Sequence, residues 1–520
     1  LTSRAKKQTL KSDFEAYLDG FSPNVQEILE KFKFRNQIQT MIDADILGSV
    51  IEKFISPDIN LSPAPVYKDD AKTILKHPGL DNHGMGTIFE ELIRKFNEEN
   101  NEEAGEHWTP RDVVELMADL VFVPVADQIM DATYSCYDGA CGTGGMLTVA
   151  QERLLTLAAR RGKKVSIHLF GQEINPETYA ICKADMLLKG EGEQADHISY
   201  GSTLSLDGNA SRQFDFMLSN PPYGKSWKTD AEKMGGKKEI MDSRFNAYLE
   251  DGEQLTMLPK TSDGQLLFLL NNIAKMKKGT AIGSRIAEVH NASSLFSGDA
   301  GSGESNARRY MFENDLVEAI IALPENMFYN TSLATYIWVL TNKKEERRKG
   351  KVQLIDASAL KSPLKKNMGK KSCELTPELQ KEIVRIFMEM EENEVSRIFE
   401  NTDFGFWKIT VLQPQIDDTG KIVTDKRGNP VPDKEKTDTE IIPFTYPCGI
   451  EGFMDAEVRP YAPQAYVDYK KVLTGYELSF TKYFYKHVIL RKMDDIVSDV
   501  HKIELETEGM LKEIVEGRHE

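Results

Sequence analysis

Residues 137–146, with the sequence YDGACGTGGM, decide the fold class of this chain. An apolar run at 134–138 leads into this stretch and predicts a strand, and the run at 147–160 after it predicts a helix. The glycines between them have no Cβ, so the backbone can turn tightly and approach a ligand closely. A strand, a Gly-rich loop and a helix in this order are typical of α/β folds that bind nucleotide-like ligands.

The pattern around this stretch extends the same architecture. From residue 105 to about 342, short apolar runs alternate with helical segments, which indicates a mainly parallel sheet flanked by helices. The predicted strands are residues 134–138, 165–172, 214–219, 280–289, 316–323 and 335–341. We therefore predict an α/β domain over residues 105–345.

Two further domains are predicted on either side of it. Helical periodicity in residues 1–104, with candidate helices at 36–54 and 85–96, predicts a helical N-terminal domain. Because Leu1 rather than Met opens the chain, we expect that an N-terminal segment precedes it. Residues 346–520 are more polar and form the predicted C-terminal extension, with a turn-rich hairpin or insertion near 417–436.

The end of this extension carries an apolar heptad pattern, which we call the heptad face. Its members are Ile489, Met493, Ile496, Val500, Ile503, Met510 and Ile514, with Thr507 in the one polar position. This spacing predicts a long helix that packs in a coiled coil or bundle for subunit assembly. A helix that docks on its own chain is the open alternative.

Composition limits the class of protein. The 520 residues, 40% hydrophobic and 28% charged, indicate a globular chain of two or three domains without the apolar run of a membrane span or signal peptide. The five cysteines form no CxxC pair and no zinc spacing, so we expect reduced thiols, no metal site and a cytoplasmic location. A net charge of −17 argues against a large, self-sufficient surface for duplex DNA.

The Gly-rich loop fits neither common phosphate-binding pattern. It lacks the Lys of GxxxxGK[ST] and does not complete GxGxxG. Instead Asp138 ends the strand before it, and a carboxylate suits a cationic or hydroxyl-bearing ligand. Glu173 ends the next predicted strand, where an acid can accept hydrogen bonds from ribose hydroxyls. The alternative for Glu173 is an ordinary strand-end side chain that faces solvent.

A third motif, Asn220-Pro221-Pro222-Tyr223, directly follows the predicted strand at 214–219. Two consecutive prolines remove two backbone donors and stiffen the turn, which leaves the Asn220 side-chain oxygen and the Pro221 carbonyl as acceptors. An exocyclic amino group needs such acceptors, because its lone pair is delocalised into the ring and attacks a methyl group poorly. Tyr223 can stack on a base that has been flipped out of the duplex.

With these motifs the chain resembles the modification subunits of type I restriction–modification systems, which are amino-methyltransferases of DNA. Residues 105–117, GEHWTPRDVVELM, resemble that family's segment upstream of the Gly-rich loop. Residues 171–190 and 313–341 are also typical of these subunits. The motif order is that of the gamma class, and the likeness is strongest over about residues 80–345.

The resemblance implies an S-adenosylmethionine-dependent methyltransferase fold of the Rossmann-like type. It implies a site-specific enzyme that flips an adenine out of DNA and methylates its N6. The implied catalytic residues are Asn220, Pro221, Pro222 and Tyr223. The implied cofactor-binding residues are Glu106, His107, Trp108, Thr109, Pro110, Asp138, Ala140, Cys141, Gly142, Thr143, Gly144, Glu173 and Ser202. Two positions depart from the family, since many relatives have Asp at Ser202 and Pro at Gly139.

The resemblance also implies partners. Two modification subunits flank one specificity subunit on double-stranded DNA, and a restriction or translocase subunit completes the complex. No segment of this chain is typical of a base-recognition domain, which agrees with a separate specificity subunit. Three alternatives remain: a protein-glutamine N-methyltransferase, which also uses Asn-Pro-Pro-Tyr, a non-catalytic assembly subunit, and a nucleotide-binding oxidoreductase, disfavoured by the incomplete GxGxxG.

Overall fold

A computed structural model describes residues 9–80, 85, 88, 92, 109–189, 192–249, 252–329, 331–485 and 493–516. The chain divides into two compact units, Leu1–Ser479 and Phe480–Glu520. The helices of the described residues include none with the length and apolar character needed to cross a bilayer.

Helices open the first unit. They are α1 (Thr9–Asp19), α2 (Pro23–Lys31), α3 (Phe34–Asp43) and α4 (Leu47–Phe54), followed by the hairpin of β1 (Val66–Tyr67) and β2 (Leu75–His77). The single helix predicted at 36–54 is in fact the pair α3 and α4, because Asp45 takes a left-handed conformation with a φ of 56°. The helix predicted at 85–96 lies almost entirely outside the described residues.

The α/β part follows. In chain order its elements are α5 (Arg111–Phe122), β3 (Thr133–Asp138), α6 (Gly145–Arg160), β4 (Ser166–Glu173), α7 (Pro176–Leu188), α8 (Gly192–Ala195), β5 (Ile198–Tyr200), β6 (Phe216–Ser219), α9 (Lys228–Lys233), β7 (Asn246–Tyr248), β8 (Gln254–Thr256), α10 (Gln265–Ala274), β9 (Arg285–Asn291), α11 (Ser293–Phe296), α12 (Gly303–Glu313), β10 (Val317–Ala322), β11 (Thr335–Thr341), β12 (Lys351–Asp356), β13 (Ser362–Met368), β14 (Lys371–Glu374), α13 (Pro377–Glu389) and β15 (Ser396–Glu400).

Nine strands among the described residues form one sheet in the order β15-β12-β10-β11-β9-β6-β3-β4-β5. β11 and β15 run antiparallel to their neighbours, and the other pairings are parallel. The central strands are almost entirely buried, since helices cover both faces of a parallel sheet; every residue of β10 is buried. The predicted α/β fold with a mainly parallel sheet is confirmed.

The sheet is larger than predicted. All six predicted strands are present, although the one predicted from 280 begins at Arg285 because a turn with Gly283 at a φ of 68° comes first. β5, β12 and β15 were not predicted. β12 pairs with β10, and β15 pairs with β12, so the sheet continues past the predicted domain end at residue 345.

A small sheet completes the first unit. Its elements are β16 (Gly405–Leu412), β17 (Asp438–Pro443), α14 (Gly449–Phe453), β18 (Tyr466–Val467) and β19 (Leu473–Tyr476). β16 pairs antiparallel with each of the other three strands. Between β16 and β17, the turn-rich stretch forms short hairpin bridges, such as Ile416 with Ile422 and Thr424 with Pro430.

The second unit contains α15 (Phe480–Phe484) and the long helix α16 (Met493–Glu516). α16 agrees with the helix predicted from the heptad pattern. Of the heptad face, the described side chains of Met493, Ile496, Val500 and Ile503 are all exposed. Ile489 lies outside the described residues.

Arg308 joins the small sheet to the α/β part. It lies on α12 and is fully buried, and its guanidinium donates to Tyr476 O at 2.6 Å, Ser294 O at 3.0 Å and Ser297 O at 2.8 Å. Burial lowers the pKa of Arg308 to about 10, so the side chain remains charged at neutral pH. Its removal would leave these buried carbonyls without their donors.

We therefore expect Arg308→Met to lower the free energy of unfolding by about 3 kcal/mol, as for other buried charged hydrogen-bonding groups. Denaturant unfolding of the full chain measures the change. Arg385→Met is the control, because Arg385 is an exposed arginine on α13 that pairs only with exposed Glu382 and Glu389. Equal losses in the two variants would contradict this account of Arg308.

Candidate functional site

A cavity of about 400 Å³ opens where β3, β4 and β6 end. In a parallel sheet the carboxyl ends of the strands share one edge, and ligands bind in the crevice outside it. Asp138 ends β3, Glu173 ends β4 and Asn220 follows β6, and all three side chains line the cavity. The topology thus gathers residues that are far apart in the sequence.

The Gly-rich loop between β3 and α6 forms one wall. Gly142 and Gly144 have φ values of 56° and 84°, a region that disfavours residues with a Cβ. A Cβ on Gly144 would also lie only 2.7 Å from Cys182 Sγ. Glycine is therefore required at Gly144 both by backbone conformation and by packing against α7.

Glu173 supports this loop from β4. Its carboxylate is buried and accepts from Gly142 N at 2.9 Å through Oε2 and from Asn175 N at 2.7 Å through Oε1. The alternative of a solvent-facing strand end is therefore wrong. A carboxylate has about four acceptor positions, so Glu173 can also accept hydrogen bonds from a ligand in the cavity.

Asp138 is the second buried acid of the cavity. Its Oδ1 accepts from Ala140 N at 3.0 Å and from Ser219 Oγ at 2.8 Å. Burial, together with the neighbouring carboxylates of Glu173 and Glu288, raises the pKa of Asp138 to about 7. A cationic ligand beside Asp138 would lower this pKa and favour the ionised carboxylate.

Asn220 presents an acceptor to the cavity. Its Nδ2 donates to Thr109 Oγ1 at 2.9 Å, which holds the amide in place from the residue before Pro110, the N-cap of α5. Its Oδ1 is buried and has no hydrogen-bond partner among the residues that the structure describes. A buried acceptor without a donor costs free energy, so a ligand that brings an N–H to this atom would gain a hydrogen bond and relieve that cost.

The predicted site residues are largely brought together. Those that line the cavity are Thr109, Asp138, Ala140, Cys141, Gly142, Thr143, Glu173, Ser202, Asn220 and Pro222. Four others do not line it but are each adjacent in sequence to a residue that does, namely Pro110, Gly144, Pro221 and Tyr223. Glu106, His107 and Trp108 lie outside the described residues, so their predicted contacts with the cofactor stay predictions.

Three of these residues have distinct local environments. Ser202 is buried, and its Oγ accepts from Leu204 N at 3.2 Å, which stabilises the turn after β5. A hydrogen bond with the Cys182 thiol and burial raise the pKa of the Cys141 thiol, so this residue is a poor nucleophile. Burial also raises the pKa of the half-buried Tyr223 to about 12.

Comparison with known proteins assigns the chain to a family. The family profile described as N-6 DNA Methylase matches residues 80–405, which include all the cavity residues discussed above. The chain belongs to the N-6 DNA methylase family.

Curated relatives of the chain carry names from restriction systems. It is 28% identical to the type I restriction enzyme MjaIX methylase subunit of Methanocaldococcus jannaschii over 66% of this chain and 55% of that protein. It is 30% identical to the MpnII methylase subunit of Mycoplasma pneumoniae over 53% of this chain and 46% of that protein. The chain thus spans about half the length of the curated relatives it matches.

A solved structure is also similar. It is the methyltransferase subunit of a type I restriction-modification system from Streptococcus thermophilus, with 25% sequence identity and a TM-score of 0.48. The alignment covers 61% of this chain and 60% of the other.

The far wall of the cavity was not predicted. Lys225, Ser226, Trp227 and Phe268 line it beside Pro222. Trp227 is buried, and its indole Nε1 donates to Lys260 O at 3.0 Å. These residues match no known motif, and the one signal for them in the sequence is an aromatic residue shortly after Tyr223.

Asp263 holds this wall against the Asn-Pro-Pro-Tyr turn. Its Oδ1 accepts from Gly224 N at 3.2 Å, directly after Tyr223, and its Oδ2 accepts from Gln265 Nε2 at 2.6 Å. Gly264 N donates to Lys225 O at 3.2 Å. The two segments therefore form a hydrogen-bonded pair that fixes the position of the turn.

Proposed function

We propose that this chain transfers a methyl group from S-adenosylmethionine to N6 of an adenine in DNA. The observation that carries the proposal is the buried Asn220 Oδ1, an acceptor without a partner among the described residues, in a cavity that also contains the Gly-rich loop. An amino group donates to such an acceptor, and a hydrogen bond there draws electron density toward the nitrogen.

The cavity fits the proposed cofactor. The donor set suits it, because the Glu173 carboxylate can accept from ribose hydroxyls and the Asp138 carboxylate compensates a positive charge. At Gly139, Gly142 and Gly145 the loop has no Cβ next to the cavity, so a ligand can approach the backbone there. When bound, S-adenosylmethionine supplies an electrophilic methyl group on a cationic sulfur. Glu173, Asp138 and the loop residues Ala140 to Thr143 would hold it, with Ser202 at the turn after β5.

The residues after β6 would handle the target base. Thr109 orients the Asn220 amide so that Oδ1 faces the incoming amino group. The Pro221 carbonyl offers a second acceptor, because proline contributes no N–H that would compete for it. Tyr223 would stack on the flipped base. After transfer the nitrogen is cationic and sheds its proton easily, so no strong base is required of the chain.

We further propose that the chain acts as the modification subunit of a type I restriction–modification complex. Several relatives are named type I methylase subunits. The net charge of −17 favours a partner that supplies attraction for DNA. The heptad face on α16 offers an apolar surface for helices of a specificity subunit, with two modification subunits per specificity subunit and a restriction or translocase subunit beside them.

The alternatives are less well supported. A family profile for DNA methylases does not favour a protein-glutamine methyltransferase or a nucleotide-binding oxidoreductase. An assembly subunit without activity would have no need for an Asn220 held by Thr109 with its oxygen unpartnered in a cavity.

Asn220→Ala is expected to abolish methyl transfer, a loss of more than roughly 10³-fold, because it removes the acceptor for the amino group. The dissociation constant for S-adenosylmethionine should stay within a few-fold. Thr109→Val should give a smaller loss, on the order of tenfold, because it removes only the group that orients the amide. Labelled methyl transfer to unmethylated DNA and calorimetry measure the two quantities.

The control is Asn314→Ala, which alters an exposed asparagine at the end of α12 and should leave both quantities unchanged. If Asn220→Ala lost cofactor binding together with activity, Asn220 would belong to the cofactor half of the site instead.

Glu173→Gln is expected to weaken binding of S-adenosylmethionine by roughly 1–3 kcal/mol, the scale of a charge-assisted hydrogen bond. Calorimetry gives the dissociation constant, and thermal unfolding shows whether the loop has kept its support. The matched control is Glu177→Gln, an exposed acid in the first turn of α7. An unchanged dissociation constant with a lower melting temperature would limit Glu173 to supporting the loop.

Ending the chain after Tyr485 is expected to leave a folded protein that binds S-adenosylmethionine but no longer co-purifies with the specificity subunit. In the full chain, Val500→Glu and Ile503→Glu should cause the same loss by placing charges on the heptad face. Ser498→Glu is the control, because residue 498 lies on the opposite side of α16 from Val500. Co-purification by the truncated chain would show that assembly uses another surface.

A further inference from the structure

Exposed lysines follow the Asn-Pro-Pro-Tyr turn, and we call this group the lysine rim. Its members are Lys225, Lys228, Lys233, Lys237 and Lys238, and all of their side chains are exposed. They stand out in a chain whose net charge is −17. The mechanism described above uses none of them.

Neighbouring acids neutralise only part of the rim. Asp230 accepts from Ser205 Oγ at 2.6 Å, and Glu232 lies 3.9 Å from Lys228. Within the described part of the chain, no carboxylate lies at ion-pair distance from Lys233, Lys237 or Lys238. Glu239, also exposed, is the next acid in the sequence. The end of the rim therefore carries a local excess of positive charge.

The rim is fixed at the edge of the cavity. Lys225 lines the cavity, and so does Asp230 on α9, only one helical turn before Lys233. Trp227 anchors the segment, since its indole and its backbone N donate to Lys260 O and Thr261 O at 3.0 Å each. After α9, Gly235 and Gly236 take φ values of 93° and 99°, and Gly236 N donates to Ala231 O at 2.7 Å. This hydrogen bond closes a turn at the end of α9, and Glu239 N donates to Gly236 O at 2.9 Å in the next turn, which contains Lys237 and Lys238.

The covalent structure of DNA places phosphates at this edge. A flipped nucleotide remains joined to its neighbours on both sides, so its flanking phosphates must stay at the cavity opening while the base is inside. Each strand carries one phosphate per roughly 3.4 Å of helix axis, so lysines beside the opening meet several of them. A lysine side chain can follow these phosphates because it is a flexible point charge.

We propose that the lysine rim binds the phosphates of the DNA strand that carries the target adenine. This inference rests on the proposed function, because it requires that a base on a nucleic-acid strand enter the cavity. It assigns to this chain a part of the electrostatic attraction for DNA, with the remainder left to the partner subunits.

The test combines Lys233→Gln, Lys237→Gln and Lys238→Gln in the full chain. The matched control combines Lys163→Gln, Lys164→Gln and Lys278→Gln. These control lysines are exposed and precede β4 and β9, at the edge of the sheet opposite the cavity. Both triple variants change the net charge equally, so a difference between them reports position and not total charge.

The probe is a short fluorescein-labelled duplex with one mispaired adenine at its centre, since a mispaired base flips at lower cost. Fluorescence anisotropy across a range of salt concentrations gives the slope of log Kd against log salt. The rim variant should lose about one unit of slope per phosphate contact removed and bind at least about tenfold more weakly at low salt. The control triple variant should match the parent chain. Affinity for S-adenosylmethionine and the melting temperature should be equal in all three proteins.

A rim variant with the slope and affinity of the control would overturn the proposal. So would a parent chain that does not bind the duplex at all. Methyl transfer by the parent chain to unmethylated DNA, assembled with its specificity subunit, separates this inference from the proposed function. Transfer with an unaltered salt slope in the rim variant would reject only the rim. A reduced slope without any transfer by the parent chain would support the rim as a DNA surface and reject the proposed chemistry.

Discussion

The hydrogen bond from Gly142 N to the Glu173 carboxylate is the interaction on which the site depends. It joins the loop after β3 to the end of β4, and Asn175 N binds the second oxygen of the same carboxylate. Because Gly142 has a positive φ, its N–H can turn toward Glu173 without a Cβ in the way. One buried acid thereby fixes both the entry to α6 and the entry to α7.

A second set of contacts extends this order to the Asn-Pro-Pro-Tyr turn. Ser219 donates to Asp138, and the next residue, Asn220, donates to Thr109 ahead of α5. The ends of β3, β4 and β6 and the start of α5 are thus linked by hydrogen bonds of the Asp138, Glu173, Ser219 and Asn220 side chains. Such a network pre-organises the cavity, so binding a ligand need not order it first. Asn220 Oδ1 takes no part in this network and has no hydrogen-bond partner among the described residues.

Features that depend on a few neighbouring residues could be predicted from the sequence, whereas features that depend on contacts between distant segments could not. The strands around the Gly-rich loop and Asn220 were predicted because burial and local turn chemistry both act over a few residues. Trp227 and Asp263 were not, because their contribution comes from contacts with segments more than thirty residues away, and no local pattern marks them. β12 and β15 are not predicted for a related reason. They lie after a charged stretch that resembles a domain end, and their place in the sheet is set by the pairing of β12 with β10 and of β15 with β12. A single helix is predicted over residues 36–54 because the left-handed conformation of Asp45, which separates the two helices, does not change the periodicity of the apolar residues.

The sequence gives the net charge of the chain but does not show how the charges are distributed around the cavity. A value of −17 describes the whole molecule, whereas a phosphate responds mainly to charges within the Debye length, about 8 Å at physiological ionic strength. Acidic residues elsewhere on the chain are therefore screened from DNA at the cavity, while lysines beside the opening are not. The overall charge still opposes approach from a distance, where many charges act together, and it lowers the association rate. An acidic enzyme with a local basic edge would then depend on a partner to bring DNA near, and on its own lysines to hold the strand once the base has left the helix.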